Sequence, residues 1–157
     1  MKMSLISSLM SLVSLASLSA QANVSNMVGT WHGSGAVFSL GGAPEGEYTV
    51  RLDDTLQADG SVASSVTVTA SGTPDKHFDQ ILRDTQGGFS IQSPLGSGEA
   101  TCVGEGLCEG YLGDATGNGT AITTVRDDAD HIRILKTELR SFHPTRFYRE
   151  QYVRTAK

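Results

Sequence analysis

Cysteine, proline, tryptophan and long apolar runs are all scarce in this chain. Its 157 residues include two Cys, four Pro and one Trp, and aromatic residues make up 6%. The two cysteines, Cys102 and Cys108, are too far apart for a C-x-x-C redox pair. With no third Cys and no nearby His, they also exclude a tetrahedral zinc set. Positive charge is in deficit, with 12 Lys and Arg against 17 Asp and Glu. A net charge of −5 argues against a basic nucleic-acid binder. No Gly-X-Y period exists, so collagen is excluded. The Gly, Ser and Thr content excludes a coiled coil. No strong amphipathic helix pattern occurs beyond residue 22, and no segment there is apolar enough to insert stably in a membrane.

Glycine, by contrast, is abundant, with 18 residues. The N-terminus is equally distinctive. Lys2 precedes an apolar stretch of Leu5, Ile6, Leu9, Leu12, Val13, Leu15 and Leu18, and Ala20-Gln21-Ala22 has the A-x-A form. Residues 1–22 therefore read as a secretory signal peptide, and residues 23–157 as one domain. The expected location is periplasmic or secreted. Export permits a disulfide. Gly104 and Gly106 let the chain turn back between Cys102 and Cys108, so a bond across a hairpin end is expected.

From residue 26 the dominant pattern is period-two alternation broken by turn residues. Tyr48, Val50 and Leu52 share one face of a strand, and Glu47, Thr49, Arg51 and Asp53 share the other. Asp59-Gly60 signals a tight hairpin. Val62–Ala70 alternates again, with Ser64 interrupting the apolar face. Phe78–Asp84 fits either a strand or a short helix. Further strands follow at 8–12-residue spacing up to Arg146–Arg154. The pattern predicts an all-β, antiparallel up-and-down barrel or sandwich of about eight to ten strands.

Charge is sorted along the chain. Residues 23–120 hold three Lys or Arg against twelve Asp or Glu, whereas residues 121–157 hold eight against five. The basic C-terminal strands either neutralise acidic neighbours or form a patch for an anionic partner.

The first strand opens Gly29-Thr30-Trp31, and the last strand is rich in arginine. This combination resembles the calycin superfamily, the lipocalins and small bacterial nitrobindin-like barrels, over nearly all of residues 27–154. The resemblance implies a lipocalin-like barrel closed at one end by Trp31. It also implies a basic residue of the last strand packed over that indole, with Arg149 and Arg154 the candidates and Arg146 a weaker one. Gly29, Trp31, Arg149 and Arg154 are thus the expected closing residues. A barrel of this size leaves room for one small ligand. The candidate lining is Phe38, Tyr48, Val50, Tyr111, Phe147 and Tyr148, with Arg51 or a C-terminal Arg as candidate holders of an acidic head group. The nitrobindin-like resemblance also raises haem on an axial His143 or His131, though no surrounding motif supports it and no cofactor is expected.

Other motifs carry less. Asp114–Gly119 lacks the acidic twelfth residue of an EF-hand, since Val125 stands there. Gly33-Ser34-Gly35 lacks the full G-x-S-x-G, because residue 31 is Trp. No catalytic signature is found, so a binding protein rather than an enzyme is expected. It would carry or sense an apolar or amphipathic molecule inside the barrel. The alternative is a filled barrel whose outer surface binds a protein partner, such as an inhibitor or envelope assembly factor.

Overall fold

The computed structural model describes residues 23–104 and 106–157. The expected leader, residues 1–22, lies outside the described residues. A short 3-10 helix, Val24–Met27, precedes ten strands. These are β1 (Gly29–Ser39), β2 (Pro44–Leu56), β3 (Val62–Ala70), β4 (Lys76–Thr85), β5 (Gly88–Ser93), β6 (Gly96–Val103), β7 (Leu107–Gly113), β8 (Gly119–Arg126), β9 (His131–Arg140) and β10 (His143–Ala156). Every pairing is antiparallel between chain neighbours, and β10 returns to β1. The sheet closes, so no strand edge is left free. Among the described residues no helix is long and apolar enough to cross a membrane.

Phe78–Asp84 belongs to strand β4. Its pattern is ambiguous because Gln80 takes an inward position between Phe78 and Leu82. Gln80 lies opposite Ser64, 3.4 Å from its hydroxyl, so two polar side chains share an inner-wall position. The Cys102–Cys108 bond joins directly opposed residues at the end of the β6–β7 hairpin.

Alternation decides which face is inside. Trp31 on β1 stands opposite Leu52 on β2 and Arg154 on β10, and all three face inward. The core is concentrated at this end. Trp31, Val50, Leu52, Val66, Ile132 and Tyr152 form one buried cluster, with Met27 packed against it. Val24, Val62 and Leu82 form a second. The 3-10 helix is therefore a plug. Asn23 caps it by accepting from Ser25 N at 2.9 Å, and Val24 N donates to Asp84 Oδ1 at 2.8 Å. Burying an apolar side chain such as Val24 contributes roughly 1.5–3 kcal/mol. The opposite end is ringed by the turns at 40–43, 71–75, 94–95, 114–118 and 141–142.

The basic residues of the last third are paired mainly within it. Arg133 meets Asp127, Lys136 meets Glu150, Arg140 meets Glu138, and Arg154 lies 3.6 Å from Asp130. Arg146 reaches out to Glu45. Of these pairs only Arg146–Glu45 joins the basic segment to the acidic one, so the sorting of charge along the chain largely persists.

Candidate functional site: the barrel interior

Above the plug the barrel is not filled. A cavity of roughly 550 Å³ extends from Asn26 and Met27 to Leu95 near the mouth. This falls within the usual range for small-molecule sites, about 300–1,000 Å³. Its wall is largely aliphatic and aromatic, including Val50, Val66, Val68, Phe78, Leu82, Ile91, Leu112, Ile122 and Ile134.

A buried charge cluster on β10 and β9 interrupts this wall. Glu150 on β10 is 2% exposed, yet it is a carboxylate. The Tyr48 hydroxyl donates to Oε1 at 2.5 Å, and the Tyr152 hydroxyl donates to Oε2 at 2.8 Å. Lys136 Nζ stands 2.7 Å from both oxygens. A buried charge is tolerated only when it is paired and hydrogen-bonded, and both conditions are met here. Burial first, then the Glu150 charge, pushes the Tyr48 and Tyr152 hydroxyls well above the usual tyrosine value. Both phenols therefore stay protonated and donating throughout the physiological range.

The glycines of β1 make this cluster possible. Gly33 and Gly35 stand opposite Tyr152 and Glu150 on β10, and opposite Val50 and Tyr48 on β2. A Cβ at Gly33 would lie 2.6 Å from the Tyr152 ring, and one at Gly35 would lie 2.3 Å from Tyr48 Cζ. Each ring thus lies flat on bare backbone. Replacing Gly35 with Ala is expected to displace Tyr48 from Glu150 and to destabilise the fold by about 1–3 kcal/mol, the usual cost of overpacking. Urea unfolding with near-UV dichroism would show it. Gly46→Ala, where nothing lies within 4 Å, is the control and should change neither. Equal behaviour of the two variants would mean that the ring contact is immaterial.

At the closed end Trp31 is fully buried and donates from Nε1 to Met27 O at 2.6 Å. Arg154 lies over the indole, with Cζ 4.4 Å from the ring centroid. This combines packing with cation–π attraction. Arg154 also donates to Asn26 O, and Arg126 donates to the same oxygen at 2.9 Å. Gly29 starts β1 at φ 131°, and a Cβ there would strike Ala156 O.

Of the candidate lining residues, Tyr48 and Val50 line the cavity. Tyr111 does not: it pairs with the exposed Glu99 at the opposite parity from Gly110 and Leu112, so its ring faces outward over Gly113, with the hydroxyl toward Asp114 O at the mouth. Tyr148 faces inward near the mouth, edge-on to Tyr48 with ring centroids 6.4 Å apart, and donates to Glu138 at 2.9 Å. Four further candidates, like Tyr111, face outward. Phe38, Arg51, Phe147 and Arg149 stand at the opposite parity from Val37, Val50, Tyr148 and Glu150, so they face outward. Arg51 pairs with Asp53 at 2.8 Å on the outer wall. Arg149 covers Phe38 at 6.0 Å instead of Trp31. Phe38 and Phe147 are cross-strand neighbours outside the barrel.

No histidine lines the cavity. His131 is exposed and bonded to Asp128 at 2.8 Å, and His143 is exposed at the start of β10. Among the described residues no group of three His, Cys, Asp or Glu is placed to hold a metal.

Glu150, Lys136 and Tyr152 were absent from the sequence-based candidates. The available signal was the alternation Tyr148, Glu150, Tyr152, Arg154, which sets an acid on an otherwise aromatic face.

No protein-family model matches the chain, and no curated protein does. Solved structures do. The S-type phycobiliprotein lyase of Guillardia theta superposes with a TM-score of 0.68 at 12% identity, over 85% of this chain and 90% of that one. A protein of unknown function from the DUF3598 family of Nostoc punctiforme superposes with a TM-score of 0.70 at 10% identity. That match covers 86% of this chain and half of the other. At such identities the likeness shows a shared barrel fold. One of these two neighbours is a lyase, so the comparison gives no support to the expectation that this chain is not an enzyme.

Proposed function

We propose that the protein is an exported, calycin-like carrier or sensor that holds one small apolar or amphipathic molecule inside its barrel. The observation that carries this reading is the unfilled, largely apolar cavity with a buried and internally paired charge cluster in its wall. Filled barrels place side chains where this one has space. The likeness to a phycobiliprotein lyase supports a fold that accommodates small-molecule chemistry.

Native mass spectrometry on protein purified from its own host tests the reading. A mass excess lost on denaturation is the expected result. A bare mass, together with failure to take up a neutral apolar dye, would refute it. A bound molecule that leaves chemically altered would make the barrel a reaction chamber. A second reading rests on the outer wall, where Leu135 and Phe147 line a groove of roughly 520 Å³ with Thr123 and Thr137. An exposed apolar groove of this kind suits a protein partner, and a bare mass would favour it.

A further inference from the structure

The charges on the inner wall already cancel one another, and this bears on which head group the cavity accepts. A carboxylate offers about four lone-pair sites on its two oxygens. In Glu150 they meet Tyr48 and Lys136 on Oε1, and Tyr152 and Lys136 on Oε2. Each oxygen already has a hydrogen-bond donor and the Lys136 ammonium against it, so an incoming ammonium group would have to displace Lys136. Lys136 is an ammonium with three N–H groups, one of which donates to Glu150 Oε1 while its charge also lies 2.7 Å from Oε2. At least one donor remains, and the two phenol oxygens keep lone pairs that can accept. The cluster therefore offers a Lys136 donor and several weak acceptors while carrying no net charge.

Of the other charged groups nearby, Asp54 is buried at the closed end outside the cavity lining, with Oδ1 unpartnered, and those toward the cavity are engaged elsewhere or face out. Arg126 donates to the carbonyls of Asn26, Asp128 and Ala129 at the closed end. Glu138 receives Tyr148 and Arg140 toward the mouth. Glu99 is exposed and alternates with the inward Gly98 and Ala100.

We infer that the cavity selects uncharged amphiphiles, with a hydroxyl, carbonyl or amide head beside Lys136, over carboxylates and ammonium ions. An ionised head would leave one unbalanced charge in an apolar enclosure, and such a charge is costly when buried without a partner. A neutral head uses the remaining Lys136 donor and the phenol lone pairs without that cost. The inference rests on the ligand-binding reading above and names its ligand class.

The test is competition for a neutral fluorescent probe, N-phenyl-1-naphthylamine, at pH 7. The competitors are dodecanol, dodecanamide, dodecanoate and dodecylammonium, each below its micelle concentration. Dodecanol and dodecanamide should displace the probe at concentrations about tenfold or more below those needed for the two ions. Glu150→Gln removes the negative charge and leaves Lys136 unbalanced, so dodecanoate should become the best competitor. If that variant has no melting transition, Lys136→Gln carries the same test with dodecylammonium favoured. Equal displacement by all four, or a better showing by either ion on the unaltered protein, would overturn the selection while leaving the binding reading intact. Failure of the probe to bind at all would overturn the binding reading, and the selection with it.

Discussion

Replacing Trp31 with Ala is expected to destabilise the barrel by about 3–5 kcal/mol, the range for deleting a large buried aromatic. Small domains are stable by only about 5–15 kcal/mol, so this one change should remove a large share of the total. Three contributions are lost together. The indole is fully buried between Leu52 and Arg154. Its N–H is the donor that Met27 O receives at the end of the plug. Its face is the surface on which Arg154 rests while donating to Asn26 O. Urea unfolding followed by far-UV dichroism should show the midpoint falling steeply. Trp31→Phe separates the parts. It keeps a ring under Arg154 and leaves Met27 O without its donor, at about 1–3 kcal/mol. A loss below about 1 kcal/mol for Trp31→Ala would mean that the plug is held by its other contacts, Val24 against Val62 and Leu82 and its amide on Asp84.

The same residue marks how far the sequence could be read. Period-two alternation made the strands legible, because half of each strand faces an apolar interior and half faces water. The run Tyr48, Val50, Leu52 is the clearest case, and all three are inside. Closure also follows from Trp31, since β1 pairs with both β2 and β10 around it. Alternation does not say which face is inner when both carry aromatic residues. On β10, Phe147 and Tyr148 are adjacent and only Tyr148 points in. The register settled the arginines for the same reason. Arg154 is the cross-strand partner of Trp31, whereas Arg149 is one parity step away beside Phe38. The polar cluster was harder to read. An acid between two tyrosines looks like a solvent face until Tyr48, from 102 residues earlier, is seen to donate to it. The glycines Gly33 and Gly35 carried a trace of the site, but their purpose is visible only with two rings lying over them.

Asp54→Asn is expected to stabilise the protein at neutral pH by about 2–3 kcal/mol and to leave it unchanged near pH 3.5. Asp54 is buried at the closed end opposite Ser64, and its Oδ1 has no hydrogen-bond partner. Loss of water pushes its carboxyl up to about 6, against the opposing pull of the Ser64 hydroxyl and Arg154. The charge of Asp53 adds to the rise. Below the unfolded value of 3.8 the group is protonated in both states and contributes nothing to the pH dependence. Between that value and about 6 the unfolded chain gives up its proton first, so stability falls as pH rises. Above about 6 the cost is constant, because the ionised carboxylate is buried without full compensation. An amide at this position removes the titration. Melting curves of the two proteins should therefore converge on acidification and separate between pH 4 and pH 6. Curves that stay parallel across that interval would mean that the folded barrel accommodates the ionised carboxylate without penalty.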